Sequence, residues 1–132
     1  MSQDSPAESV LRGLIEAFDR ADLAGMAPLL AEEGRFFITN ATGGVDLVRG
    51  RHAFMANISA LGVAAVRPSV AITQILSVAE DQAMAMVEVK AARKGRTLHN
   101  FAAYLARVEN GQIVQMHMVE ALPAQSDSFW KD

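Results

Sequence analysis

The chain has 132 residues, of which 51% are hydrophobic, 20% charged and 6% aromatic, with a formal net charge of −3 and no cysteine. That length predicts one domain able to bury roughly two thirds of its unfolded surface, and the composition excludes a disordered chain. It also excludes disulfides, thiol nucleophiles and Cys-ligated metals, while the absence of a ~20-residue apolar run or a dense Lys/Arg block excludes a membrane span and argues against nucleic acid as the partner.

The opening MSQDSPAESV is polar and acidic with no hydrophobic signal region, so a cytoplasmic location is expected, with residues 1–5 flexible. Ser5-Pro6-Ala7-Glu8 reads as a helix start: Ser5 caps, Pro6 suits the first turn and Glu8 completes a capping box. Val10, Leu11, Leu14, Ile15 and Phe18 then form one apolar stripe at helical spacing, with Arg12, Glu16, Asp19 and Arg20 facing away. Asp22 caps a second short helix carrying Leu23, Met26, Leu29 and Leu30, which Gly34 stops. Arg35–Thr39 is β-prone, followed by a loop at 40–44 and a short extended piece at Val45–Val48. Gly50 opens a third helix with Phe54, Ile58 and Leu61 on one face. After Pro68 the pattern turns to strands at Val70–Val78, Ala83–Arg93, Thr97–Arg107 and Ile113–Glu120, separated by Glu80-Asp81, Lys94-Gly95 and Asn110-Gly111. The order predicts an α+β fold in which amphipathic helices cover one face of an antiparallel meander.

This order of elements resembles the nuclear transport factor 2-like superfamily, which includes ketosteroid isomerases and SnoaL-like polyketide cyclases. The resemblance spans nearly the whole chain and rests on Asp19-Arg20-Ala21-Asp22-Leu23, Leu29-Leu30-Ala31-Glu32-Glu33, Arg49-Gly50-Arg51-His52 and Arg107-Val108-Glu109-Asn110-Gly111-Gln112-Ile113 in that sequence. It implies a cone-shaped, strongly curved, mostly antiparallel sheet wrapped around about three helices and enclosing an apolar cavity, in a homodimer packed through the outer sheet face. It also implies where catalytic groups would stand. The base of the steroid isomerases falls at or near Ile38, the helix tyrosine at Leu14, a supporting tyrosine at Ile58 and the oxyanion-hole aspartate at Tyr104. The cyclases' His and Asp fall near Met116 and Met118. An aliphatic side chain cannot take a proton, so neither activity is expected. A longer loop after Thr39 would bring Asn40 or Asp46 to the cavity mouth.

Strand alternation gives a separate estimate of what faces inward. Glu88 and Lys90 alternate with Val87, Val89 and Ala91, so the odd positions of that strand point in. A three-residue loop at Glu109-Asn110-Gly111 sets Tyr104 opposite Met116, Ala102 opposite Met118 and Asn100 opposite Glu120. A two-residue turn at Asn110-Gly111 instead sets Tyr104 opposite His117. The first register agrees with the resemblance and is preferred. Leu14, Phe18, Ile38, Phe54 and Ile58 are then expected to line the cavity with Val87, Val89, Ala102, Met116 and Met118. Asn100, Tyr104 and Glu120 are the polar groups among them, with Glu120 the candidate acid or base and Tyr104 the candidate donor to a ligand carbonyl. The same residues also admit a bland arrangement, in which Glu120 is solvated or paired with an Arg and the other two satisfy backbone.

No His-x-His pair or carboxylate cluster is spaced for a metal, and no cofactor is expected. Gly43-Gly44 lacks the Lys-Ser/Thr of a phosphate loop. His99 and His117 are expected on the outer face with Phe101, Leu105 and Val119, a strip suited to a dimer surface. The tail 121–132 is expected to fold back on the domain or on a partner, burying Phe129 and Trp130. The expected partner is a small hydrophobic molecule, with no nucleic acid and no membrane. A ligand-binding enzyme using acid–base chemistry, a non-catalytic binder and a structural dimer all stay open.

Overall fold

The first helix is fixed by its cap. In the computed structural model, which describes residues 5–131, α1 spans Pro6–Asp19, and Ser5 Oγ accepts the Glu8 backbone N–H at 3.1 Å. The expected flexibility of residues 1–5 falls, Ser5 apart, outside the described residues. Leu11, Leu14 and Ile15 of the predicted stripe are buried. The polar side fastens the helix to the sheet at both ends. Near the start Ser77 donates to the Glu8 carboxylate, and at the finish Asp19 Oδ1 accepts the Val70 N–H at 2.8 Å.

Asp22 caps α2 (Leu23–Met26) through the Gly25 N–H at 2.9 Å, but this helix ends sooner than the sequence predicts. Pro28 sits in a 3-10 turn at Ala27–Leu29, and Leu30 already begins β1 (Leu30–Thr39). Gly34 is therefore not a helix stop. It is buried in β1 beneath Phe36, whose ring would lie 2.8 Å from any added Cβ. β2 (Val45–Arg49) and α3 (Arg51–Ala60) follow as predicted, and α3 buries Phe54 and Ile58. Phe54 stacks on Phe36 at 4.4 Å between ring centres. A single-turn helix α4 (Val63–Val66), which the sequence reading lacks, precedes β3 (Ser69–Ala79), β4 (Gln82–Arg93), β5 (Arg96–Glu109) and β6 (Gln112–Glu120). The second missed helix, α5 (Pro123–Trp130), ends the chain.

The strands form one six-stranded sheet in the order β2-β1-β6-β5-β4-β3, antiparallel except for the β1–β6 pair. Register shifts in β1–β6, β3–β4 and β5–β6 mark bulges, which bend a sheet and increase its twist. The helices α1 and α3 fill the concave side of this curved sheet, and the core lies between them. The fold is α+β, as the order of elements predicts. Among the described residues, no helix is long and apolar enough to cross a membrane.

The final hairpin corrects the preferred register. Asn110 and Gly111 both take positive φ, 53° and 76°, so the connection is a two-residue turn with Glu109 opposite Gln112. Val114 then bulges, and the ladder resumes with Ala106 opposite Met116, Tyr104 opposite Met118 and Ala102 opposite Glu120. Tyr104 thus faces neither Met116 nor His117.

Candidate functional site

Between the helices and the concave face lies a cavity of about 390 Å³. Its wall is made by Leu14 and Phe18 from α1, Ile38 from β1, and Phe54 and Ile58 from α3. The sheet adds Val89, Asn100, Ala102, Tyr104, Met116, Met118 and Glu120. Val87 does not line it: the residue points the same way but is 1% exposed in the closed core. Leu14, Ile38, Ile58 and Tyr104, where the resemblance would set isomerase groups, share this wall, as do Met116 and Met118 at the cyclase positions. At the mouth, Asn40 Nδ2 donates to Asp46 Oδ1 at 3.1 Å, and both residues reach the cavity through the loop after Thr39.

The sequence reading missed Asn57 of α3 and Ser126, Asp127 and Trp130 of α5 as lining residues. Pro123 in the first turn of α5 is the signal that marks the helix. The tail docks on β5 of its own chain, leaving Phe129 2% exposed, with Trp130 edge-on to it at 5.0 Å. Two arginines hold the end of α5. Arg93 donates to the Trp130 carbonyl at 2.8 Å, and Arg96 donates to those of Ser128 at 2.7 Å and Lys131 at 2.8 Å. Cations at a helix C-terminus also oppose its negative dipole end.

Asn100 is 3% exposed and fully engaged. Its Oδ1 accepts the N–H groups of Phe101 at 2.8 Å and Leu122 at 3.0 Å, which fixes the orientation of the amide. Its Nδ2 faces Glu120 Oε2 and the Leu122 carbonyl, each at 3.4 Å. Asn100 therefore holds the turn into α5 and aims Glu120, and has no group left for a ligand. Glu120 also accepts from Ser126 Oγ at 3.3 Å. Burial pushes its carboxyl above the usual range, opposed by the hydrogen bonds from Ser126 and Asn100. Burial and the neighbouring Glu120 carboxylate raise the Tyr104 phenol, which stays protonated and can donate. Its hydroxyl has no hydrogen-bond partner among the described residues and is not sealed off, because it opens onto the cavity.

The histidines stand apart from the cavity. His52 is exposed at the start of α3, His99 Nε2 lies 2.6 Å from Glu88 Oε2, and His117 stacks on Phe37 at 4.5 Å. Among the described residues no group of three or more His, Asp or Glu is placed to hold a metal ion.

The family model of the SnoaL-like domain matches residues 11–116, from within α1 to the middle of β6. This chain belongs to the SnoaL-like family, within the nuclear transport factor 2-like superfamily. An uncharacterized protein of Mycobacterium tuberculosis is 28% identical over 131 residues, covering 98% of this chain and 99% of its own. Among solved structures, Bal32a from a soil-derived mobile gene cassette superposes with a TM-score of 0.82 at 16% identity, over 96% of this chain and 97% of that one. An epoxide hydrolase of M. tuberculosis, of the LEH-like type, gives a TM-score of 0.75 at 12% identity, over 94% of this chain and 89% of its own. These structural likenesses establish a shared fold, and a fold of this kind hosts many functions.

Proposed function

We propose that this SnoaL-like domain binds a small, mainly apolar molecule in the cavity and orients it through one polar group held by Tyr104 and Glu120. The observation that carries this reading is the Tyr104 hydroxyl, which reaches the cavity without a hydrogen-bond partner among the described residues. Buried polar groups are normally paired, so a donor left open in an apolar wall suits a partner that arrives from outside. The size supports it too, since ligand pockets run from about 300 to 1,000 Å³ and combine apolar walls with a few polar groups. Native mass spectrometry of the purified protein tests the reading. We expect a small molecule to copurify, and its retention to fall in Tyr104→Phe. A wild-type protein that carries no such molecule, and takes up none of a panel of apolar compounds, overturns it.

Glu120 favours a second role for the same site. A desolvated carboxyl beside a protonated phenol can exchange a proton with a ligand whose developing oxyanion Tyr104 would hold, which is cofactor-free acid–base chemistry of the isomerase, cyclase or hydrolase type. Asn100 enters it as a positioning residue.

The outer face of the sheet supports a homodimer. Strand registers align Leu76, Met84, Leu105, His117, Phe37 and Leu47 in one row across all six strands. Met86, Ala103 and Val119 form a second row beside it. Apolar rows of this extent on a sheet face suit a two-fold contact between copies.

A further inference from the structure

We infer that the cavity selects a small lipophilic cation, an apolar body carrying a protonated amine, with Glu120 as its counter-ion. The inference rests on the reading that the cavity is a ligand site, and adds the charge of the ligand. Among the described residues, the cavity lining includes three carboxylates, Asp46, Glu120 and Asp127, and no Lys, Arg or His. Composition does not produce this, because the chain has 12 Lys and Arg against 15 Asp and Glu. The nearby cations are turned elsewhere. Arg93 and Arg96 donate to carbonyls at the end of α5, and Lys131 pairs with Asp127 at 2.9 Å while remaining 70% exposed.

Asp46 is exposed and Asp127 is paired with Lys131, whereas Glu120 is half-buried and its partners are neutral and long: Ser126 at 3.3 Å and Asn100 at 3.4 Å. Carboxylates taken out of water are ordinarily paired with a cation, and none of the described residues supplies one to Glu120. The other titratable groups facing it across the cavity are Tyr104 from β5, Asp46 from β2 and Asp127 from α5, none of them a cation. A carboxylate or phosphate ligand would meet repulsion in this wall. An ammonium would gain a charge-assisted hydrogen bond to Glu120 and could offer a second N–H to the open Tyr104 oxygen. Phe18, Phe54 and Trp130 are among the residues that line the same cavity.

Three compounds of one shape separate the possibilities: 1-adamantylmethylamine, 1-adamantanemethanol and 1-adamantanecarboxylate. All are optically silent, and Trp130, the sole tryptophan, lines the cavity and reports binding by fluorescence. At pH 8 the amine is expected to bind at least about tenfold more tightly than the alcohol, and the carboxylate more weakly than both. As the pH is lowered and Glu120 takes up a proton, the amine is expected to lose its advantage over the alcohol. In Glu120→Gln, with the fold checked by circular dichroism, the preference for the amine over the alcohol is expected to disappear, and a preference that persists overturns Glu120 as the counter-ion. Alcohol bound as tightly as amine by the wild type overturns the charge selection and leaves the ligand site standing. Failure of all three to bind counts against the ligand site itself.

Discussion

The side-chain oxygen of Asn100 accepts the backbone N–H of Leu122 at 3.0 Å, so one buried amide joins β5 to the turn that launches α5. The same amide faces the Leu122 carbonyl and Glu120. Asn100→Ala strands the Leu122 backbone groups and frees Glu120, which predicts a loss of about 2–3 kcal/mol in urea unfolding. Hydrogen exchange is expected to show the loss concentrated at Ser126–Trp130. Uniform loosening of the whole sheet instead would show that Asn100 does not hold α5 in particular.

The sequence sets Asn100 on the inward face and admits it as a group that satisfies backbone, which it does, but not as the clamp on α5, because strand alternation does not announce that helix. Faces were legible because alternation depends only on parity. The preferred register sets Tyr104 opposite Met116, and the observed partner Met118 lies two residues on, which leaves Met116, Met118 and Glu120 on their predicted face, whereas Ile113, before the bulge, turns into the core in place of Gln112. A two-residue turn without the bulge would have set Tyr104 against the outward His117. The bulge at Val114 supplies the odd residue that restores parity, and no local sequence rule announces it. Gly34 misled for a related reason. Glycine marks a helix stop or a strand position crowded by a ring, and only the fold reveals Phe36 overhead. Val87 and Val89 share a face, yet one is sealed in the core and the other borders the cavity, a distinction of depth that periodicity does not carry.

Met86 and Val119 stand on the convex face, 46% and 53% exposed, on either side of Ala103 in one row. If this face joins two copies, the wild type elutes as a dimer by size exclusion with light scattering at micromolar concentration. Met86→Lys with Val119→Lys is then expected to give a folded monomer, because exposed substitutions change a monomer's stability by only about 0.5 kcal/mol while two like charges meet their copies across a two-fold contact. A monomeric wild type, or a variant that stays dimeric, excludes this face as the contact.

Glu120 gives a signed pH dependence of stability. Its folded carboxyl titrates above the ordinary value of 4.5, chiefly through burial. Below that value the carboxyl is protonated in both folded and unfolded chains, and its contribution to stability is fully present. As the pH rises the unfolded chain releases its proton first, so stability declines until the folded carboxyl has also ionised. Glu120→Gln cannot ionise and escapes the decline. Its unfolding free energy relative to the wild type, measured by urea at pH 4, 6 and 8, is therefore expected to shift in the variant's favour as the pH rises. A difference that stays constant from pH 4 to 8 would mean that Glu120 is solvated in the folded protein. The cavity would then lack the desolvated acid that both the proton-exchange reading and the selection of a cation require.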